Sequence, residues 1–314
     1  MNVDDLVSKI SNALKGKTIK IDSADLTIEA VNRVAPVSGG DCHAAFRLDV
    51  SIDQSQRTLF VKASADHRAA VLKSEHESLT LMADALGSAY AQLYPKVLGC
   101  ISDQSVTVLL LEWLDLGPLS SSKGTVLADS LSRHHSVTNQ DYGWPKDNYC
   151  GLTAQLNSPS TSWATFFVDR RLRYQLKLAR QRGLPEGLTN QIEVACDTAT
   201  QLLGNHQPTP ALLHGDLWAG NVGIDSSSQR PVFYDPAPYY GDPEVDIAMT
   251  FLFGGFSTEF YTHWQKNLPS GTNFKSQEVL DRRMIYNLYH ALNHFNLFGR
   301  AYIPLISDHL KFNF

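Results

Sequence analysis

The apolar residues of this chain change their period near residue 112, and that change constrains the fold more than any single stretch. A two-residue period suits strands and a period near 3.6 suits helices. Before the change, residues 27–34 and 44–52 pattern as strands on either side of a break at Ser38-Gly39-Gly40-Asp41. Residues 58–63 form a short β run, and 106–111 read as a fully buried strand. Two helices are expected here, at 2–14 and at 66–86, where Val71, Leu72, Leu79, Met82 and Leu86 recur at helical spacing. A linker rich in Gly, Pro and Ser follows at 115–123. Beyond it helices dominate, at 161–182 (closed by Gly183 and Pro185), at 191–203, from about 242, and at 281–298. A strand-and-loop block at 212–238 interrupts them. The expected class is α+β and bilobal, with a small β-rich lobe at 1–112 and a larger, mainly helical lobe at 113–314.

With 314 residues and 43% apolar content the chain can bury a sizeable core. Its net charge of −5 and lack of a basic stripe argue against nucleic acid as a partner. The stretch at 106–114 is the most apolar and far too short for a bilayer, so no membrane partner is expected. Acids near the N-terminus do not suit a signal peptide. Four dispersed cysteines with no CxxC pair point to a reduced, cytoplasmic setting. His134-His135 has no third ligand at metal spacing and reads as a polar helix or loop feature.

The strongest chemical signal is His214-Gly215-Asp216-Leu217-Trp218-Ala219-Gly220-Asn221. It matches the kinase catalytic-loop pattern H-x-D-L-x-x-x-N, in which Asp accepts a hydroxyl proton and Asn holds Mg²⁺. The loop between them must let the base face the acceptor while the amide turns back to the metal. Val232-Phe233-Tyr234-Asp235 then delivers a second acid at the end of an apolar strand, where kinases place the acid that chelates Mg²⁺. Carboxylate and amide oxygens are the ligands that this hard cation prefers. Asp235 is followed by Pro236, which stiffens the segment.

The N-terminal half supplies further partners in the expected order. Gly39 and Gly40 can lay backbone N–H groups over phosphates, although two adjacent glycines are also a common hairpin turn. Lys62 on Phe60-Val61-Lys62 can contact phosphate oxygens as a point charge. Its ion-pair partner is Glu75 or Glu77, which point in different directions on one helix. Glu112, Trp113 and Leu114 stand where a hinge backbone pairs with the adenine of ATP. Trp218, two residues from the base, offers an aromatic face to a sugar or its amine, or else packs beneath the loop. Cys42 lies in the glycine loop, where a redox role competes with ordinary packing of a small thiol.

Taken together, the chain resembles the fructosamine kinase (ketosamine-3-kinase) family, which shares the fold of aminoglycoside phosphotransferases and choline kinases. The resemblance rests on residues 38–41, Phe46-Arg47-Leu48, Phe60-Val61-Lys62 and Glu75 followed by Ser78-Leu79. It continues through Gly143-Trp144-Pro145-Lys146-Asp147-Asn148-Tyr149, Gln155-Leu156-Asn157, Trp163, Phe166-Phe167, Arg171-Leu172 and Gln175. Most distinctive are residues 214–222, 234–237, Tyr240-Gly241-Asp242, Leu288-Tyr289-His290 and Leu292-Asn293-His294. The resemblance gives the lysine's partner role to Glu75 and implies a substrate contact at Asn148. It implies ATP- and Mg²⁺-dependent phosphorylation of the 3-hydroxyl of a ketosamine, after which the amine is released. The partner is then a small-molecule or protein-bound ketosamine. One loop departs: Cys150-Gly151-Leu152-Thr153-Ala154-Gln155 stands where the family usually reads Ile-Gly-Ser-Thr-Pro-Gln. A kinase of the same fold acting on an aminoglycoside or choline would keep Asp216, Asn221 and Asp235 but lack Trp218 and the 147–148 segment. A non-catalytic nucleotide-binding protein would have lost Lys62, Asp216 or Asp235, and all three are present.

Overall fold

The structure, a computed structural model, describes residues 3–22, 24–37, 43–66, 68–267 and 275–311. The chain divides into two compact units, Met1–Gly117 with Asp225–Tyr234, and Pro118–Ile224 with Asp235–Phe314.

The first unit is built on a six-stranded antiparallel sheet in the order β1-β2-β3-β4-β6-β5. Its strands are β1 (Thr18–Ile21), β2 (Ala24–Pro36), β3 (Ala44–Ile52), β4 (Ser55–Ser64), β5 (Val97–Ser102) and β6 (Thr107–Glu112). Burial along β3 alternates from Phe46 through Leu48 and Val50 to Ile52, the pattern of a strand with one face in the core. β6 instead has apolar neighbours on both faces. Val108 and Leu110 join one cluster with Leu6, Ile10, Phe46 and Val61, the first two from helix α1 (Val3–Leu14). Leu109 and Leu111 join a second with Leu72 and Leu79 of α2 (Ala69–Leu86). That is why β6 reads as a continuous apolar run. Helix α3 (Tyr90–Leu93) ends at Tyr94, whose ring meets Phe233 from the distant segment at a centroid distance of 5.8 Å.

The second unit is helical, with α4 (Gly124–His135), α5 (Trp163–Phe167), α6 (Tyr174–Gln181), α7 (Glu186–Gly204), α8 (Glu244–Leu252), α9 (Thr258–Lys266), α10 (Gln277–Phe298) and α11 (Ile303–Asp308). The helix expected at 161–182 is divided: α5 and α6 are joined by a π-helical turn, Val168–Arg173. The wider turn coincides with a fully buried Arg171, whose guanidinium lies 4.1 Å from the Tyr239 ring centroid and 4.7 Å from that of Phe166. α10 is buried along most of its length and is capped by Ser276, whose hydroxyl accepts from the Val279 N–H. Two small antiparallel pairs complete the unit, Asn148–Cys150 with Thr153–Gln155 and Ala211–Leu213 with Tyr239–Gly241. Among the described residues no helix is long and apolar enough to cross a membrane. This sheet-plus-helices arrangement is the protein-kinase-like fold.

Candidate active site

The buried strand Ala211–Leu213 delivers the His214–Asn221 loop. Its entry depends on glycine. Gly215 has φ of 81°, and a Cβ there would lie 2.0 Å from the Ala237 carbonyl oxygen. That close approach lets the Ala237 N–H donate to the His214 carbonyl at 2.8 Å, tying the loop to the segment after Asp235. The turn closes when the Asn221 N–H donates to the Trp218 carbonyl at 2.9 Å. Asn221 Nδ2 then donates to the Asp216 carbonyl at 2.8 Å and to Asp216 Oδ2 at 3.3 Å. Burial, then the nearby charge of Asp235, push the Asp216 carboxyl up to about 7. Asp235 has φ of 57°, a conformation that aspartate tolerates better than most residues but that a following proline disfavours. Asp216, Asn221 and Asp235 are therefore brought together.

A residue that sequence reasoning missed holds this loop in place. Asp246 of α8 is almost wholly buried, and its two oxygens accept the backbone N–H groups of His214 and Gly215, each at 2.8 Å. His135 Nε2 lies 2.9 Å from the same carboxylate, so the second histidine of the 134–135 pair, on the last turn of α4, is a loop anchor. Burial opposes the charge on Asp246, but the His135 bond and the neighbouring imidazoles outweigh it and hold the carboxyl near 2. The only sequence signal was an acid, Asp246, two residues after Glu244 at the start of an otherwise apolar helix.

A second polar brace lies behind the Asp235 segment. Gln155 Nε2 donates to the Ala237 carbonyl at 3.1 Å and to Asn148 Oδ1 at 2.9 Å, while its Oε1 accepts from the Tyr289 hydroxyl at 2.8 Å. Asn148, read from the sequence as a substrate contact, is buried inside this brace. Its Nδ2 donates to the Pro238 carbonyl at 2.9 Å, and its Oδ1 also accepts from Asn157 at 2.8 Å. With both ends of its amide engaged inside the protein, Asn148 supports the backbone at Pro238.

In the first unit, Lys62 is buried on β4 and its Nζ donates to Glu75 Oε1 at 2.7 Å. The ion pair forms with Glu75 of α2, one of the two glutamates that spacing allowed. Glu112 ends β6; its N–H donates to the Lys96 carbonyl at 2.9 Å, and its carboxylate accepts from the Lys96 N–H at 3.2 Å. Trp113 stacks beneath the Arg47 guanidinium at 5.3 Å, and Leu114 follows outside any regular element. Gly39, Gly40 and Cys42 lie outside the described residues. In the second unit, Trp218 is partly exposed. Its six-membered ring closes over Gly220, where an added Cβ would meet it at 2.1 Å, and its edge meets Phe253 at 5.9 Å.

The kinase-type loop with Asp216 and Asn221, and Asp235 beside it, is the arrangement expected of a phosphotransferase with an alcohol acceptor, and the comparisons with known proteins give that class. The model of the family described as fructosamine kinase matches residues 16–312. The chain is 39% identical over 276 residues to a "Probable ketoamine kinase" of Synechocystis sp., covering 88% of each chain. It superposes on a crystal structure of "Putative fructosamine-3-kinase" from Haemophilus somnus with a TM-score of 0.78 and 27% identity, over 98% and 97% of the two chains. An aminoglycoside phosphotransferase, solved with ADP and hygromycin B, shares the fold alone: TM-score 0.62, 15% identity, 90% and 94% coverage. The chain belongs to the fructosamine kinase family.

Proposed function

We propose that this protein transfers the γ-phosphoryl group of ATP to the 3-hydroxyl of a ketosamine, whose 3-phosphate then decomposes and frees the amine. The observation that carries the reading is the convergence of Asp216, Asn221 and Asp235. Their oxygens suit Mg²⁺: Asn221 spends its Nδ2 on Asp216, which leaves Oδ1 for a cation, and Asp235 brings a carboxylate close enough to perturb Asp216. Asn221 and Asp235 would hold the ion, which when bound neutralises charge on the phosphates.

Asp216 orients the 3-hydroxyl and accepts its proton at a carboxylate oxygen as the oxygen attacks phosphorus. The Asn221 amide keeps that carboxylate in one rotamer by bonding it and the carbonyl of the same residue. Lys62, fixed by Glu75, meets the α- and β-phosphates as a point charge. Gly39 and Gly40 cover the phosphates, and the backbone at Glu112, Trp113 and Leu114 pairs with adenine. Trp218 supplies a ring face to the sugar or its amine, which its partial exposure beside the base supports. The names of the relatives, each a "Probable ketoamine kinase", support a ketoamine as the acceptor.

The test is ATP consumption by the purified chain with Mg²⁺ against ribulosamines, fructosamines, aminoglycosides and choline. Turnover on the ketosamines, with phosphorus located on the 3-oxygen by NMR, is expected. Preference for an aminoglycoside or choline would reassign the acceptor while keeping the phosphotransferase.

A further inference from the structure

The chemistry around Asp216 is not limited to oxygen donors. Cys150 Sγ, a ring nitrogen of His290 and a carboxylate oxygen of Asp216 all lie within 4.8 Å of one another. Cys150 ends the strand Asn148–Cys150 and His290 sits in the middle of α10; both are buried, and His290 has no exposed surface. Among the described residues neither ring nitrogen of His290 has a hydrogen-bond partner. Buried polar atoms are nearly always paired, so two orphaned nitrogens on one imidazole point to a ligand. The Cys150 sulfur accepts from Asn293 Nδ2 at 3.3 Å, which fixes its orientation.

We infer that Cys150, His290 and Asp216 form a three-donor site for a zinc-class divalent cation, and that filling it immobilises the catalytic base. Sulfur, nitrogen and oxygen donors in this number match zinc with a fourth position left for water. Magnesium, which takes oxygen ligands, does not suit the set. Metal–ligand bonds of about 2.0–2.3 Å put tetrahedral donors roughly 3–4 Å apart, so small side-chain rotations close the site. The charges balance: one thiolate and one carboxylate offset the dication, and the imidazole stays neutral. The thiol proton leaves to solvent when the S–metal bond forms. Asp216 is the most exposed member of the three, so the ion enters from the side of the base. Binding rests on the geometry alone, whereas the loss of turnover rests on Asp216 acting as the base.

The experiment uses the full chain, washed with chelator and titrated with Zn²⁺ against a chromophoric competitor. About one equivalent is expected to bind, and Cys150→Ser and His290→Gln are each expected to weaken binding at least about tenfold. Co²⁺ in place of Zn²⁺ should give a thiolate-to-metal charge-transfer band that Cys150→Ser removes. Absence of stoichiometric zinc, equal affinity in all three proteins, or a cobalt complex without the band would each overturn the site. Zinc that binds while ATP turnover is unchanged would remove the inhibitory half. A chain inactive on every acceptor would still be judged by the zinc and cobalt titrations, so failure of the kinase reading is separable.

Discussion

Asp216 is held in surroundings that disfavour its charged form. Burial and then Asp235 raise its carboxyl from an ordinary value near 3.8 to about 7. A carboxyl raised on folding contributes stability below its unfolded value, and that contribution is lost as pH climbs through about 7. Asp216→Asn cannot ionise, so without metal it is expected to melt several degrees above the wild type at pH 8 and level with it only near pH 3, below the unfolded value. The difference at pH 8 corresponds to on the order of 4 kcal/mol. The same substitution is expected to lower turnover at least about a hundredfold while nucleotide affinity stays nearly intact. Matched melts at the two pH values and a kinetic run check both. Equal melting at pH 8 would show that the two acids do not strain each other, and near-normal turnover would remove Asp216 as the base. This residue was legible because the pattern is local: Asp216 and the Asn221 amide are five positions apart, and Asp235 follows after two short strands, Val222–Asp225 and Pro231–Phe233. His290 was quoted only as part of a resemblance, because orphaned nitrogens become visible only once packing is known.

At the scale of elements, strands whose burial follows their own sequence were legible. β3 runs from Ala44 to Ile52, the range its alternation gives, and β6 shows the double-sided burial of its apolar run. What escaped depends on partners far away in sequence. Asp246 meets backbone 31 and 32 positions earlier and a histidine 111 positions earlier, and no local pattern encodes those separations. The π-helical turn is similar: the spacing around Arg171 looks helical, and only the aromatic rings that receive the guanidinium explain its widening. Asp246 also makes an element-level test. A carboxyl depressed to about 2 stabilises the fold above its unfolded value and loses that effect as pH falls through about 4 to 2. Asp246→Asn keeps the size but weakens acceptance from two N–H groups and His135. It is expected to destabilise the protein by about 2 kcal/mol at pH 7, with the gap to wild type closing as pH falls towards 3. Denaturant melts across that range measure it. A pH-independent gap would mean that packing and not charge anchors the loop.

For the whole molecule, the informative feature is that neither compact unit is one continuous stretch. Asp225–Tyr234 belongs with Met1–Gly117, although more than a hundred residues separate them in sequence. A boundary read along the chain cannot show this, because the returning segment is short and its apolar residues, Val232 and Phe233, look like any buried strand. Phe233 is almost fully buried and its ring meets Tyr94, itself buried at the end of α3. A fragment of residues 1–117 lacks that ring and uncovers Tyr94. Deleting a buried phenylalanine side chain costs about 3–5 kcal/mol, a large share of a small domain's stability. The fragment is therefore expected to melt at least several degrees below one in which residues 225–234 are rejoined through a flexible Gly/Ser linker. Calorimetry and near-UV circular dichroism on the two proteins make the comparison. Equal melting with equal tyrosine signal would show that the sheet and its three helices stand without the segment, and that its apparent membership reflects proximity and not support.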